Sequence, residues 1–303
     1  IMLSSDAEHF YWLSRYAERA ENTARLVNVN VELMLDFPGD KSQAWKPVVE
    51  ITGMEDSFSK KNSSYDENVV INFLTFDKNN PNSILSSLAS AQYNSKPIRD
   101  NLPRASSEQL SFLINNFIEV SKSKSNRKRS SIISSVISNI QLFFGIISDN
   151  FVIGTEYQFI KLGRFIERAD MISRIVDAQC IKDEIFVLGE EYPTLQWTSI
   201  LRSLSAYEAY RISQGTISKG EIINFLIKNE DFPKSIVKCL SNVQEAINNL
   251  PNNKELKKSI DQILNTIINS NVNKFSNKRL HDFIDNLQKN LLDLDMEISK
   301  NYF

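Results

Sequence analysis

The sequence predicts an all-α protein, a helical bundle built from two tandem pseudo-repeats of about half the chain each. Apolar residues recur three and four positions apart over long stretches, as they do along one face of an α-helix. Almost no stretch alternates apolar and polar residues with the two-residue period of a strand. The chain of 303 residues contains only 8 glycines, which suits long helices because glycine is a weak helix former.

A 16-residue segment that occurs twice indicates the internal repeat. The segment at residues 10–25 returns 149 positions later at residues 159–174. Its identical pairs are Phe10 and Phe159, Leu13 and Leu162, Arg15 and Arg164, Glu18 and Glu167, Arg19 and Arg168, Ala20 and Ala169, and Arg25 and Arg174.

Further blocks match 152 positions apart. These blocks are Trp45 and Trp197, residues 71–74 and 223–226, and Pro81 and Pro233. Because three ordered blocks share almost one offset, we expect a first helical repeat at residues 2–150 and a second at residues 151–303, packed as one compact domain.

Each repeat begins with a long predicted helix that carries the repeated segment. In the first, Leu13, Ala17 and Ala20 form an apolar stripe at helical spacing. Asp6 precedes this stripe and is the predicted N-cap, and the turn-forming residues 37–40 end the helix.

Shorter predicted helices complete each repeat. Short helices are expected after Trp45 and Trp197, and Pro81 and Pro233 are expected in the first turn of a further helix, where proline is favoured. The later predicted helices are residues 107–121, 131–148, 253–269 and 277–301, and the predicted loops are residues 57–68, 122–130 and 269–278.

Composition excludes several classes of function. With 35 basic and 37 acidic residues the chain is not an obvious nucleic-acid binder. Two histidines, His9 and His281, cannot build a His-rich metal site, and we predict no metal or cofactor. Two cysteines, Cys180 and Cys239, imply no disulfide framework and favour the cytoplasm.

Membrane insertion is not expected from the apolar runs. The longest run, at residues 142–147, is far shorter than the roughly 18 residues that a membrane span requires. The first residues also lack the basic-then-apolar layout of a signal peptide. We therefore predict no membrane partner.

The repeated segment places charged residues opposite the apolar stripe of each helix. These residues are Arg15, Glu18, Arg19 and Arg25 in the first helix, and Arg164, Glu167, Arg168 and Arg174 in the second. One interpretation is a solvated face with local pairs, such as Arg15 with Glu18 and Glu21 with Arg25. The alternative is a covered face, because the same charges recur in both copies.

A covered face allows three arrangements. In the first, Arg15 pairs with Glu167 and Arg164 pairs with Glu18 across a pseudo-twofold axis. In the second, the arginines hold a carboxylate or phosphate through their forked donors. In the third, the two glutamates meet and bind a metal or share a proton.

Other features are weaker candidates for function. Trp45 and Trp197 are expected in the core, and the basic run at residues 122–129 is expected to be a solvated loop. The chain has no glycine-rich phosphate loop, no Gly-x-Ser-x-Gly and no Cys-x-x-Cys motif.

Residues 15–25 and 162–174 resemble the two signatures of the bacterial alpha-E domain family, which is named for its helices and a Glu-Arg motif. Residues 196–210 and 225–235 are similar to its later signatures. One region departs from the family pattern, because only Asn94, Arg99 and Asp100 fit there, and Leu110 stands where a tryptophan is expected.

The resemblance implies gene neighbours that include circularly permuted ATP-grasp ligase-like proteins and transglutaminase-like proteins. This implies a non-catalytic accessory role in peptide ligation or peptide modification, with such proteins as partners. The alternative is an enzyme in which Glu18 and Glu167 act as acid and base, assisted by Arg15 and Arg164.

Overall fold

The computed structural model describes residues 3–36, 41–123, 125–180, 193–213 and 216–303, and all regular elements in these ranges are helical. The α-helices are α1 (Ser4–Asp36), α2 (Lys41–Ile51), α3 (Glu55–Ser59), α4 (Glu67–Thr75), α5 (Ile84–Ser95), α6 (Arg104–Ser121), α7 (Asn126–Asn150), α8 (Thr155–Cys180), α9 (Pro193–Ser203), α10 (Tyr207–Ser213), α11 (Lys219–Lys228), α12 (Ile236–Asn248), α13 (Lys254–Ile268) and α14 (Asn277–Tyr302). Short 3₁₀ turns lie at Arg99–Asn101 and Val272–Lys274. The prediction of an all-helical protein is confirmed.

Helices α1 and α8 cross at the centre of the bundle. Gly163 lies at the crossing, where a Cβ atom would stand 2.2 Å from the carbonyl oxygen of Tyr11 and 2.3 Å from Ser14 Oγ. A glycine at this position therefore lets the two backbones approach closely enough for their side chains to interleave. Leu13 and Leu162 are fully buried in the resulting core.

The remaining helices surround this pair. Helices α5 and α7 pack on α1, whereas α12 and α14 pack on α8. Two shorter helices each contact the central helix that lies farther away in the chain. Helix α2 packs on α8, and helix α9 packs on α1. The ends of α2 and α9 therefore lie beside the charged faces of the two central helices.

Several predicted boundaries differ from the structure. Helix α1 begins at Ser4, so Asp6 lies inside its first turn, where its N–H donates to the Leu3 carbonyl. Trp45 and Trp197 lie within α2 and α9 and do not precede them. Both tryptophans are buried, as expected.

The two proline-containing turns also differ from prediction. Pro81 and Pro233 precede the helices, whose N-caps are Ser83 and Ser235. The serine hydroxyls accept hydrogen bonds from N–H groups of the first turn, which is a stronger signal for a helix start than a proline nearby. The predicted turn at residues 37–40 lies outside the described residues.

Two predicted loops are shorter than expected. The basic run enters helix α7, which begins at Asn126 with Ser125 as its N-cap. Arg129 donates to Asn72 Oδ1 at 2.7 Å, which fixes part of this run against α4. Residues 55–59 form α3, so the predicted loop at residues 57–68 begins inside a helix.

Helix α7 corrects the expectation about apolar runs. Residues 127–150 form a helix that is long and apolar enough, by length and composition alone, to cross a membrane. In the structure, Val136, Ile140 and Phe143 on this helix are buried, and the helix packs against α1 and α6. Its apolar side belongs to the core of the bundle.

Candidate functional site

The charged faces of α1 and α8 meet in a reciprocal set of ion pairs. Arg168 donates from Nε to Glu18 Oε1 at 2.6 Å and from Nη2 to Glu18 Oε2 at 2.9 Å. Arg19 binds Glu167 through the same atoms, from Nε to Oε1 at 2.5 Å and from Nη2 to Oε2 at 2.9 Å. Each pair is the two-point contact that suits a planar guanidinium and a carboxylate.

A second arginine contacts each of the two carboxylates. Arg15 Nε donates to Glu167 Oε2 at 2.9 Å, and Arg164 Nε lies 3.4 Å from Glu18 Oε2. These two contacts are the ones expected for the first covered arrangement, in which the arginines and glutamates of the two helices pair with each other. The pairs made by Arg19 and Arg168 are additional. Glu18 is fully buried and Glu167 is 3% exposed, so the face is covered and not solvated.

The arginines keep both carboxylates ionised. Burial by itself would raise the pKa of Glu167, but the positive charges of Arg19 and Arg15 outweigh burial and lower the pKa to about 2. Burial likewise opposes ionisation of Glu18, and Arg168 and Arg164 together lower its pKa. Two ionised carboxylates, each surrounded by guanidinium groups, do not share a proton or form the metal pair of the third arrangement.

Helix α14 supports the first arginine from outside. Arg15 Nη1 donates to Asp295 Oδ1 at 2.7 Å, and the Tyr11 hydroxyl donates to the same carboxylate. Burial raises the pKa of Tyr11 far above its ordinary value, so its hydroxyl remains a donor. The position of Tyr11 on the charged face of α1 follows from its helical spacing. Asp295 was not predicted, because nothing in local spacing links it to Arg15, which lies 280 positions earlier in the chain.

Arg164 has a different neighbour in the equivalent place. Its guanidinium lies over the ring of Phe144 on α7, with Cζ 3.9 Å from the ring centroid. Burial, together with the nearby charge of Arg168, lowers the pKa of Arg164. A cation held against an aromatic face is stabilised without a second carboxylate.

The outer pairs, Glu21 with Arg25 and Asp170 with Arg174, follow the predicted spacing within each helix. Arg25 donates to Glu21 Oε1 from both Nε, at 2.9 Å, and Nη2, at 2.7 Å. Arg174 donates from Nε to Asp170 Oδ2 at 2.8 Å. All eight sequence-predicted site residues therefore lie along one charged seam between α1 and α8.

Two residues that the sequence analysis did not single out approach this seam from turns. Asn82 accepts a hydrogen bond from Arg19 Nη1 at 3.2 Å. Lys234 lies 3.7 Å from Glu21 Oε1, and burial lowers its pKa to about 8 despite the opposing attraction of Glu21. Asn82 follows Pro81, and Lys234 follows the matching Pro233. This match is the feature of the sequence that could have identified the two residues.

A cleft of about 190 Å³ opens on one side of the seam. Its walls are Arg19, Thr23, Ile51, Thr52, Gly53, Asn82, Glu167, Asp170, Met171 and Arg174. The cleft therefore contains the charged groups of one half of the seam and the end of α2.

The cysteines and the residues near the departure from the family pattern have different surroundings. Burial raises the pKa of the Cys239 thiol to about 12, and the side chain of Cys180 lies outside the described residues. Asn94 bonds His9 at 3.0 Å, Arg99 and Asp100 lie on an exposed turn, and Leu110 is buried. Among the described residues, no three His, Cys, Asp or Glu side chains are grouped so that they could hold a metal ion.

These observations define an all-helical protein organised around two central helices with reciprocal Glu-Arg pairs. A family model matches residues 2–303, and its description is a predicted alpha-helical domain with a conserved ER motif. The chain belongs to this family, Alpha-E. Comparisons with curated proteins and with solved structures find no match.

Proposed function

We propose that this protein is a non-catalytic accessory partner of an ATP-grasp-type peptide ligase or peptide-modification system. The observation that carries the proposal is the mutual neutralisation of the Glu-Arg motifs. Glu18 accepts from Arg168 and Arg164, and Glu167 accepts from Arg19 and Arg15. The residues that define the family thus hold the bundle together.

A role as acid and base is not supported by this geometry. A general acid or base needs a pKa near the working pH and a path to the substrate proton. Glu18 is fully buried, and the pKa of Glu167 is about 2. The enzyme hypothesis for these two glutamates is therefore the weaker of the two.

The expected partners come from the resemblance to alpha-E proteins. They are a circularly permuted ATP-grasp protein and a transglutaminase-like protein, in the cytoplasm. A nearly balanced charge, with a net value of −2, supports a protein partner over a nucleic acid.

We also infer that the chain arose by duplication, with repeats at residues 2–150 and 151–303 packed as one domain. The offset of 149 between matching residues supports this inference. The atoms that join Arg19 to Glu167 are the atoms that join Arg168 to Glu18, which is further support.

Co-purification tests the proposed partnership. The full chain and a circularly permuted ATP-grasp protein encoded beside it would be mixed at about 10 µM and analysed by size-exclusion chromatography and calorimetry. We expect a complex with a Kd in the micromolar range or below, and a change in ligase turnover when the complex forms. Absence of binding, with both proteins folded, would contradict the proposal.

A second measurement separates the accessory role from catalysis. Glu167→Gln would be compared with the exposed-site variant Glu8→Gln. An accessory protein predicts that any loss of ligase stimulation follows the loss of folded protein. Turnover by this chain alone that disappears in folded Glu167→Gln would favour the enzyme alternative.

A further inference from the structure

The two outer ion pairs of the seam differ in their surroundings. Arg25 is 13% exposed, and its Nη1 donates to Ser205 Oγ at 2.6 Å, so all three guanidinium nitrogens have acceptors. Arg174 is 36% exposed and donates from Nε to Asp170. Among the described residues, Nη1 and Nη2 of Arg174 have no hydrogen-bond acceptor.

The difference comes from the residue that faces each arginine. Ser205 follows α9 with a φ of 53°, and Gly53 follows α2 with a φ of 70°, so both adopt the left-handed conformation. A Cβ atom on Gly53 would stand 3.1 Å from Arg174 Nη1. A serine here would therefore bring its hydroxyl against the guanidinium, as Ser205 does for Arg25, and glycine leaves that place open.

A second difference between the two sides of the seam leaves more space beside Arg174. The closed side of the seam is the side that contains Arg25 and Ser205. There Lys234 lies against Glu21, which is 1% exposed. The open side is the side that contains Arg174 and Gly53. There the shorter Asn82 occupies the turn after Pro81, as Lys234 occupies the turn after Pro233, and donates to the Thr52 carbonyl at 3.0 Å. Asp170 is consequently 23% exposed, and the open side contains the cleft of about 190 Å³.

The donors that face the cleft without a described acceptor indicate which ligand could bind there. Both oxygens of Glu167 are occupied by arginines, so the available group is the Nη1 and Nη2 edge of Arg174, a planar pair of donors. Such an edge binds a carboxylate or a phosphate through two parallel hydrogen bonds.

Charge and size favour the carboxylate. The cleft walls carry two arginines, Arg19 and Arg174, and two carboxylates, Glu167 and Asp170. These charges balance, so the cleft has no excess positive charge that would favour a doubly charged phosphate over a singly charged carboxylate. The volume is also below the roughly 300–1,000 Å³ of sites for drug-sized molecules, which favours a small group such as a carboxylate.

We propose that this cleft binds the carboxylate of a free amino acid or of a peptide C-terminus, with Arg174 as its anchor. Asp170, beside the anchor, accepts a hydrogen bond from the amine or amide N–H of the same ligand. The inference rests on the open guanidinium edge alone and holds whether or not a ligase partner exists.

Titrations of the full chain observed by NMR test the proposal. The probes are glycine, triglycine, triglycine amide and inorganic phosphate, each up to about 20 mM, with the Gly53 amide as the reporter. We expect glycine or triglycine to shift this signal saturably and the amide to leave it unchanged. Glycine and triglycine distinguish the two sources of the carboxylate.

Three variants connect binding to the named groups. Arg174→Gln should weaken carboxylate binding at least about tenfold, because it removes a charge-assisted pair of hydrogen bonds. Gly53→Ser should also abolish binding by filling the open place, while the protein remains folded by circular dichroism. Ser205→Gly, the reciprocal change on the closed side, should leave binding at the cleft unchanged.

Four results would overturn the proposal. They are no shift with either carboxylate probe in the folded protein, a shift with triglycine that triglycine amide reproduces, tighter binding of phosphate than of both carboxylate probes, and undiminished binding in folded Arg174→Gln. None of these results bears on co-purification with a ligase, so the two proposals fail separately.

Discussion

Arg168 on α8 and Glu18 on α1 form a two-point ion pair in which the carboxylate is fully buried, with N–O distances of 2.6 and 2.9 Å. Burial of a carboxylate is costly unless cations and hydrogen bonds replace its water shell. Arg168 and Arg164 together supply that replacement. The packing of α1 on α8 therefore depends on the presence of both charge types.

Glu18→Gln should destabilise the protein by about 3–5 kcal/mol, because it leaves the buried Arg168 and the partly buried Arg164 without their carboxylate. Urea unfolding followed by circular dichroism measures this loss. The exposed Glu8→Gln on the same helix is the matched control, expected within about 0.5 kcal/mol of the wild type. An unchanged midpoint for Glu18→Gln would mean that the pair does not stabilise the folded state.

A double-mutant cycle should find strong coupling between Glu18 and Arg168. We expect a coupling energy of about 2–3 kcal/mol from the free energies of unfolding of the Glu18→Gln, Arg168→Gln and double variants. The comparison pair, Arg104 with Glu108, lies on the exposed surface of α6. Its cycle should give no measurable coupling, and similar values for both cycles would contradict the burial argument.

Gly163→Ala should disrupt the crossing of the central helices. The added Cβ would stand 2.2 Å from the Tyr11 carbonyl oxygen, so α1 and α8 must separate, at a cost above about 2 kcal/mol. Gly145→Ala on α7 meets no atom within 4 Å and should instead stabilise the protein by about 0.5–1 kcal/mol. Thermal melts of the two variants should therefore move in opposite directions.

Stability should fall in acid as Glu167 takes up a proton. Its pKa is about 2 in the folded protein and near its ordinary value of 4.5 in the unfolded chain. Its contribution, about 3 kcal/mol, is therefore complete above roughly pH 5 and is lost as the pH falls through 4.5 toward 2. In Glu167→Gln the urea midpoint should decline less steeply over this range; equal slopes would exclude Glu167 as a source of the acid sensitivity.

The sequence predicted much of the fold, because long helices leave a periodic apolar pattern. Helices α13 and α14 begin within one residue of the predicted starts at 253 and 277. Helix starts near prolines were predicted less well. Capping by Ser83 and Ser235 depends on a local hydrogen bond, which apolar spacing does not encode.

The site was predicted in part. Repetition of the charged residues identified the arginines and glutamates that the structure brings together. Spacing on one helix could not show which of them pair, so the contact of Arg19 with Glu167 was not foreseen. The asymmetry between Gly53 and Ser205 was also not foreseen, because it becomes meaningful only when each residue is seen beside its arginine.

The crossed contacts make each half of the chain incomplete without the other. Glu18 takes its cations from Arg164 and Arg168, and Glu167 takes its cations from Arg15 and Arg19. A polypeptide containing only the first half would present a carboxylate and its two arginines on an open helix. Two such polypeptides could satisfy each other by self-association, so one chain here contains an interface of the kind that two separate molecules could form.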